Sequence, residues 1–445
     1  MVRSESAVGP GGREVLSIMV SCRSLLFGLV AMPLLCSRAV LGAETPAEQT
    51  DNASVRIQKG TGLDIRSADG DFQLKIKVFG QLQYAVTGGA GATAKGDSRD
   101  VQRFEQSFAV RRARLYFSGY LFGEHNKYSI QLAFSPQDMG FKNGGPTKSP
   151  IFDWYFRFDY LRDLTLQVGQ YRIPFNKSRV IPYAKLQFID RTAANFEFNL
   201  DRDIGIDVRS ADVLGLNLLR YYAGVFIGEG RDGYSPSDFG LVYVARLELH
   251  PLGLFSDYLE ADLERSESPR LAFGAAYAFL HDAKYSRGIT GGVPADGGTS
   301  DLHVVTADLA FKFRGFSLLS EFYYRQSNRD FGNVQMLDEN GDPIFEDDGV
   351  TPVVDREQGR IGLGWFSQIG WMLPGIPLEI AGRYGQVHPH GSESPIRRLD
   401  EFGLAVNWYI FGPSMALKTD YHRRFFDGEI EQSTDEIRLS FQAGF

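Results

Sequence analysis

The sequence predicts an all-β fold: a 16-stranded antiparallel transmembrane β-barrel with an infolded loop between strands 5 and 6. Three observations lead there. Read in steps of two, the C-terminus alternates Phe445, Ala443, Phe441, Leu439 and Ile437 against Gly444, Gln442, Ser440, Arg438 and Glu436, and a period of two puts one set on each face of a strand. Sixteen segments of this kind recur between Gly, Pro, Asn or Asp, and a single-chain bacterial barrel needs an even number. Beyond the N-terminal region no apolar run reaches the roughly 20 residues of a membrane helix.

In chain order, Arg23 precedes the apolar run Leu25 to Leu35 and small residues follow to Ala43, so residues 1–43 read as a secretory signal, with Met19 as an alternative start. Cys22 and Cys36 both lie in that piece, which excludes disulfide and thiol chemistry from the exported chain. Residues 44–71 are polar, carry Gly60, Gly62 and Gly70, and read as a periplasmic extension; residues 72–445 form the barrel domain. Its strands fall near 72–87, 107–120, 125–135, 151–161, 163–175, 203–211, 216–228, 238–249, 269–282, 301–314, 315–328, 356–373, 376–388, 398–411, 413–427 and 433–445. Tight corners occur at Arg162, Arg314–Gly315–Phe316 and Phe411–Gly412–Pro413, whereas 88–106, 136–150, 283–300 and 329–355 are long and polar. Short turns on one rim and long loops on the other fit an outer-membrane barrel.

The two faces of the strands differ in charge. Trp154/Phe156/Phe158, Leu164/Leu166/Val168, Ile204/Ile206/Val208 and Phe402/Leu404/Val406/Trp408/Ile410 are charge-free rows suited to lipid. Opposite them, strand parity places Lys75, Lys77, Arg112, Arg114, Arg157, Arg209, Arg246, Lys312, Arg314, Arg325, Arg383, Lys418, Arg424 and Arg438, with Asp153, Asp159, Asp203, Asp207, Glu248, Asp308, Glu321, Glu379, Asp420 and Glu436. A dry core does not hold so many ions, because each unpaired buried charge costs several kcal/mol. A water-filled lumen of sixteen strands does. The chain carries a net charge of −8, yet these lumen rows hold more cations than anions, so the surplus acid is expected elsewhere, partly in the loop 338–349. A basic pathway in an acidic protein favours anions; the alternative is that inward Arg and Asp pair across the wall and stiffen it. The acidic balance offers nothing to a nucleic acid.

Residues 176–201 do not alternate and are too apolar for an exposed hairpin loop; they carry Lys177, Arg179, Lys185 and Arg191 with Asp190, Glu197 and Asp201. Folded inward, they narrow the pore where each charge counts most. The alternative is a lid at the rim or at a subunit contact.

Several stretches resemble the phosphate-selective porin O and P family: RRARLYFSGYL (Arg111 to Leu121), GQYRIPF (Gly169 to Phe175), IDRTAANFEFNLDRDIGIDV (Ile189 to Val208), the opening SADGDFQLKIKVFGQLQY and the final Phe445. The resemblance implies a trimeric porin of the outer membrane whose third loop enters the channel and whose arginines and lysines guide anions such as phosphate. Arg112 and Arg114 match the family's RRAR motif, and the segment after Pro174 its infolded loop. Acids interleaved along these walls depart from a purely cationic ladder.

The expected function is passive diffusion of small anions, with no catalytic residues, no cofactor and no metal. The expected channel-lining, anion-binding residues are Lys75, Lys77, Arg112, Arg114, Arg157, Lys177, Arg179, Lys185, Arg191 and Arg209. The chain has no G-x-S-x-G, H-E-x-x-H or P-loop. GEGRDG (Gly228 to Gly233) has dinucleotide-loop spacing but leads to no helix, and DENGD (Asp338 to Asp342) has Pro343 where a calcium loop needs Gly. His388 and His390 share a strand face and mark a rim. The alternative function is a sugar or oligosaccharide channel, for which inward Tyr155, Tyr171, Tyr323 and Tyr409 offer aromatic surface, or a barrel with binding or hydrolase work at its loops, using His281 or His303.

Overall fold

In the computed structural model the described residues are 53–445 without 59, 61, 90–103, 143–144 and 234–239. The signal segment 1–43, with its alternative start, and residues 44–52 lie outside them. Sixteen antiparallel strands close on themselves: β1 Gln73–Gly89, β2 Glu105–Tyr120, β3 Asn126–Ala133, β4 Ile151–Leu161, β5 Leu164–Arg172, β6 Arg202–Ser210, β7 Leu219–Phe226, β8 Val242–Leu249, β9 Arg270–Ala283, β10 Thr299–Phe313, β11 Phe316–Asp330, β12 Gly362–Met372, β13 Leu378–Pro389, β14 Leu399–Pro413, β15 Met415–Phe426 and β16 Glu429–Gly444. Every predicted segment becomes one of these strands. Closure runs from Thr434↔Gly89 to Gly444↔Phe79, which removes the open edges a membrane does not tolerate. Before β1, a hairpin of Ser54–Gln58 and Gly62–Arg66 adds to the wall, setting Asp64 opposite Lys75.

The dyad pattern works as a lipid/lumen switch. Leu82, Trp154, Phe156, Ile206, Leu247, Val305, Trp371, Ile380, Leu404, Trp408 and Leu439 are exposed on the outside, while their odd or even neighbours are buried inside. Turns on the short rim are tight: Arg314 and Gly315 both have positive φ, 49° and 90°, the geometry of a two-residue type I′ hairpin. Arg314 therefore stands exposed in that turn, outside the lumen row to which parity assigned it.

One connection breaks the rule. Residues 250–269, between β8 and β9, leave the short-turn rim and fold into the barrel, where Asp257, Ala261 and Asp262 are buried. The segment 173–201 enters from the other rim as α2 (Lys177–Val180), a 3-10 turn (Tyr183–Lys185) and α3 (Ala193–Phe198); a further one-turn helix, α1 (Pro136–Met139), sits on the preceding long loop. Thr192 caps α3, its hydroxyl accepting from the Asn195 amide at 2.9 Å.

The long-loop insert is apolar where it meets the wall. Ile173, Phe175 and Leu200 pack on inward Val242, Val244, Ala276, Ala278, Leu280, Leu302 and Val304, and Ile181, Leu186 and Phe198 on Tyr323, Phe366 and Val387. Thus β9 is apolar on both faces, its inner row matched to a protein plug instead of water. Elsewhere small inward residues make room: a Cβ at Gly364 would lie 2.6 Å from the Phe198 ring and 3.3 Å from Ala194. Gly364→Leu is expected to displace α3 and cost about 1–3 kcal/mol by overpacking. By contrast Gly382→Leu, whose Cβ meets nothing nearer than Ile369 at 3.9 Å, is expected to stay within about 0.5 kcal/mol. Urea titration of the barrel in lipid vesicles compares the two.

Candidate functional site

The lumen is organised by two charge knots that tie the inserts to the wall. The first surrounds Asp190. Its carboxylate accepts from Arg111 Nη2 at 2.9 Å, Arg112 Nη2 at 2.6 Å and Arg438 Nη1 at 3.1 Å, and its backbone carbonyl accepts from Arg383. Two consecutive arginines reach one acid because the β1–β2 register slips between Gln81↔Arg112 and Leu82↔Val110, leaving Arg111 as the extra residue of a bulge. Strand parity hid Arg111. Beside the knot, the Tyr183 ring packs under Arg112 at 3.7 Å, Arg191 at 4.1 Å and Arg114 at 4.9 Å. Burial pushes the Tyr183 phenol up, but Arg179, Arg191, Arg112 and Arg114 prevail and hold it well below its ordinary range.

The second knot surrounds Lys177, which is fully buried. Its Nζ lies 2.5 Å from Asp257, 3.6 Å from Glu248 and 3.9 Å from Asp308. Arg220 and His250 also hold Asp257, at 2.9 and 3.2 Å, and Arg246 bridges Glu248 and Asp308. Glu248, His250 and Asp257 converge well enough to offer ligand atoms to a metal, but the ammonium and guanidinium groups among them already balance the acids. Close by, the Gln187 amide donates to Glu260 at 2.6 Å and its side chain to Glu379 at 2.6 Å and Ser317 at 2.8 Å. Asp257 and Glu260 belong to the 250–269 insert, so the two inserts clasp each other inside the barrel.

These contacts sort the ten expected lining residues. Arg112 and Arg114 are inside but nearly fully buried, paired with Asp190 and Asp138. Lys177 is a correction: sealed under Asp257 and Tyr258, it fastens the inserts instead of facing open lumen. Arg179 pairs with Asp201 and Arg209 with Asp207. Arg191 donates to the carbonyls of Ser178, Arg179 and Ile181, stapling its own loop. Lys75 faces Asp64 across strands. Lys77, Arg157 and Lys185 have neither a carboxylate nor a backbone-carbonyl partner among the described residues: Arg157 donates only to Gln167 Oε1, at 2.7 and 3.0 Å, and Lys185 repels Lys77 as a like charge.

The expected cationic surplus is thus largely offset from within, because part of the missing acid sits in the lumen on the inserts, as Asp190, Asp201, Glu197, Asp257 and Glu260. The 338–349 loop takes another part and is exposed. The 250–269 insert escaped sequence reading, although its signal was the one that marked 176–201: apolar residues without alternation, Leu254, Phe255, Tyr258, Leu259 and Leu263, interleaved with acids.

Two basins flank the long-loop insert. One, about 550 Å³, is lined by Arg111, Arg179, Arg191, Arg287, Arg424 and Arg438 with Asp190, Asp201 and Glu436. The other, about 340 Å³, is bounded by Val180, Pro182 and Lys185 of one insert, Tyr258 of the other, and Tyr155, Arg157, Tyr171, Arg172 and Arg209 of the wall. Of the tyrosines considered for an aromatic path, Tyr171, Tyr323 and Tyr409 are buried with their hydroxyls bonded to Asp207, Glu321 and Glu379, leaving Tyr155. His281 and His303 bond Asp301 and Tyr277 instead of a serine, and His388 and His390 join no group of three converging metal-binding side chains among the described residues.

A model of the phosphate-selective porin O and P family matches residues 76–425, more than three quarters of the chain. No curated relative matches the sequence. Among solved structures, the anion-selective porin from Comamonas acidovorans aligns at TM-score 0.51 and 10% identity over 84% of this chain and 99% of that one. The outer membrane channel DcaP of Acinetobacter baumannii aligns at TM-score 0.48 and 11% identity, over 84% and 97%. At such identity the likeness is one of fold.

Proposed function

Because the chain belongs to the phosphate-selective porin O and P family of outer-membrane channels, we propose that it passes small anions, phosphate among them, through the two basins beside the long-loop insert. The observation that carries this reading is the residual charge: several lumen cations stand outside any ion pair among the described residues, and where Arg172, Arg191, Lys312, Arg383 and Lys418 are at least held by backbone carbonyls, Lys77, Arg157 and Lys185 are not. Unpaired cations in a narrow passage attract anions and repel cations. The alignment of work is passive, a channel instead of an enzyme. In the same reading the protein is a homotrimer embedded in outer-membrane lipid, and the 54–66 hairpin, on the rim of short turns, faces the periplasm.

Planar-bilayer conductance under a KCl gradient tests it. The reversal potential is expected to favour chloride, millimolar phosphate to lower the chloride current, and the combined change Lys77→Gln, Arg157→Gln and Lys185→Gln to move the reversal potential toward zero. A cation-favouring potential in the unaltered protein would remove the anion reading; absence of any phosphate effect would remove phosphate alone.

A further inference from the structure

The smaller basin is built for more than a bare ion. Its wall side carries an aromatic face: Tyr155, half-buried, is backed edge to face at 5.6 Å by the buried Tyr171, and Tyr222, Pro174 and Pro182 complete the lining. Around those rings the polar groups are nearly all donors. Arg157 lies 5.7 Å from the Tyr155 ring centre and uses only a neutral amide oxygen. Lys185 is exposed with no carboxylate against it, and the buried Nε of Arg172 has no partner. The carboxylates, meanwhile, have their charge paired: Asp153 is held by Arg202 at 2.7 Å, Asp207 by Arg209 and the Tyr171 hydroxyl, Glu248 by Arg246 and Tyr258.

This imbalance selects a chemistry. A sugar brings several hydroxyl donors to a lining whose carboxylates are already engaged by guanidinium and phenol groups, and it carries no charge to answer the cations. Inorganic phosphate satisfies the donors but leaves the rings without a counterpart. A planar aromatic acid satisfies both, its carboxylate taking charge-assisted bonds and its ring lying on tyrosine, and about 340 Å³ falls in the range of small-ligand sites. We propose that this basin binds aromatic monocarboxylates, with Arg157 and Lys185 holding the carboxylate and Tyr155 packing the ring. The proposal rests on the anion-channel reading, since the ligand would enter along that path.

Calorimetric titration of the detergent-solubilised protein with benzoate, acetate and glucose 6-phosphate tests binding apart from conduction. Benzoate is expected to bind at least tenfold more tightly than the other two. Tyr155→Leu is expected to weaken it about 2- to 10-fold, a lost aromatic contact, and Arg157→Gln about tenfold or more, a lost charged hydrogen bond. Acetate binding as well as benzoate, a preference for glucose 6-phosphate, or no benzoate heat at all would each overturn the proposal, whichever variants fold. Bilayer conductance in KCl alone reports separately on the channel: normal anion-selective current without benzoate binding sinks only the site, whereas absent current sinks the channel reading.

Discussion

Lys177→Met is expected to unclasp the two inserts. The ammonium is fully buried among Asp257, Glu248 and Asp308, and removing one partner of such a cluster leaves acids in low dielectric, a loss of about 3–5 kcal/mol. Arg220 and His250 still hold Asp257, which places the loss toward the lower end. The strands of the wall do not depend on the lysine, so the damage is local: hydrogen exchange is expected to accelerate in 176–189 and 255–262 while the β1, β2 and β16 amides keep their protection. Single-channel records are expected to become noisier as the inserts move independently. Unchanged exchange in both inserts would show that apolar packing alone holds them and that the clasp is incidental.

Asp190→Asn is expected to act on charge and stability together. Burial raises the carboxyl, but Arg112, Arg111 and Arg438 outweigh it and hold Asp190 far below the ordinary carboxylate range. A depressed acid contributes stability at every pH above its unfolded value, near 4, and that contribution drains away as pH falls from there toward the depressed folded value. The insert is therefore expected to stay docked at neutral pH and loosen only in strong acid. The amide variant makes that loss permanent: three guanidinium groups face a neutral side chain, at a cost of about 2–3 kcal/mol because the site is a quarter exposed. Their freed charge is expected to move the reversal potential further toward anions, opposite in sign to the triple change at Lys77, Arg157 and Lys185. A variant as selective as the unaltered protein, with its acid sensitivity kept, would falsify the assignment of Asp190 as the sink for this charge.

How much of this was legible depends on how far each cause lies along the chain. The wall could be read because whether Trp154, Phe156 and Leu404 meet lipid is decided by each residue's parity within its own strand. The insert at 176–201 could be read because it lacks that parity, and 250–269 carried the same sign unrecognised. Arg111 could not be read, since a bulge changes parity by one without leaving a trace in composition.

Alternation, a local property, determined the sixteen-stranded wall, its lipid face and the charged character of its interior. The tertiary structure decided which of those charges remain free. Arg438 meets Asp190, and Asn407 and Lys418 meet the carbonyls of Gln187 and Leu186, across separations of more than two hundred residues that no repeat encodes. Electrostatic neutralisation follows distance in space, so Lys77, Arg157 and Lys185 became distinguishable from their neighbours only once the inserts had filled the lumen.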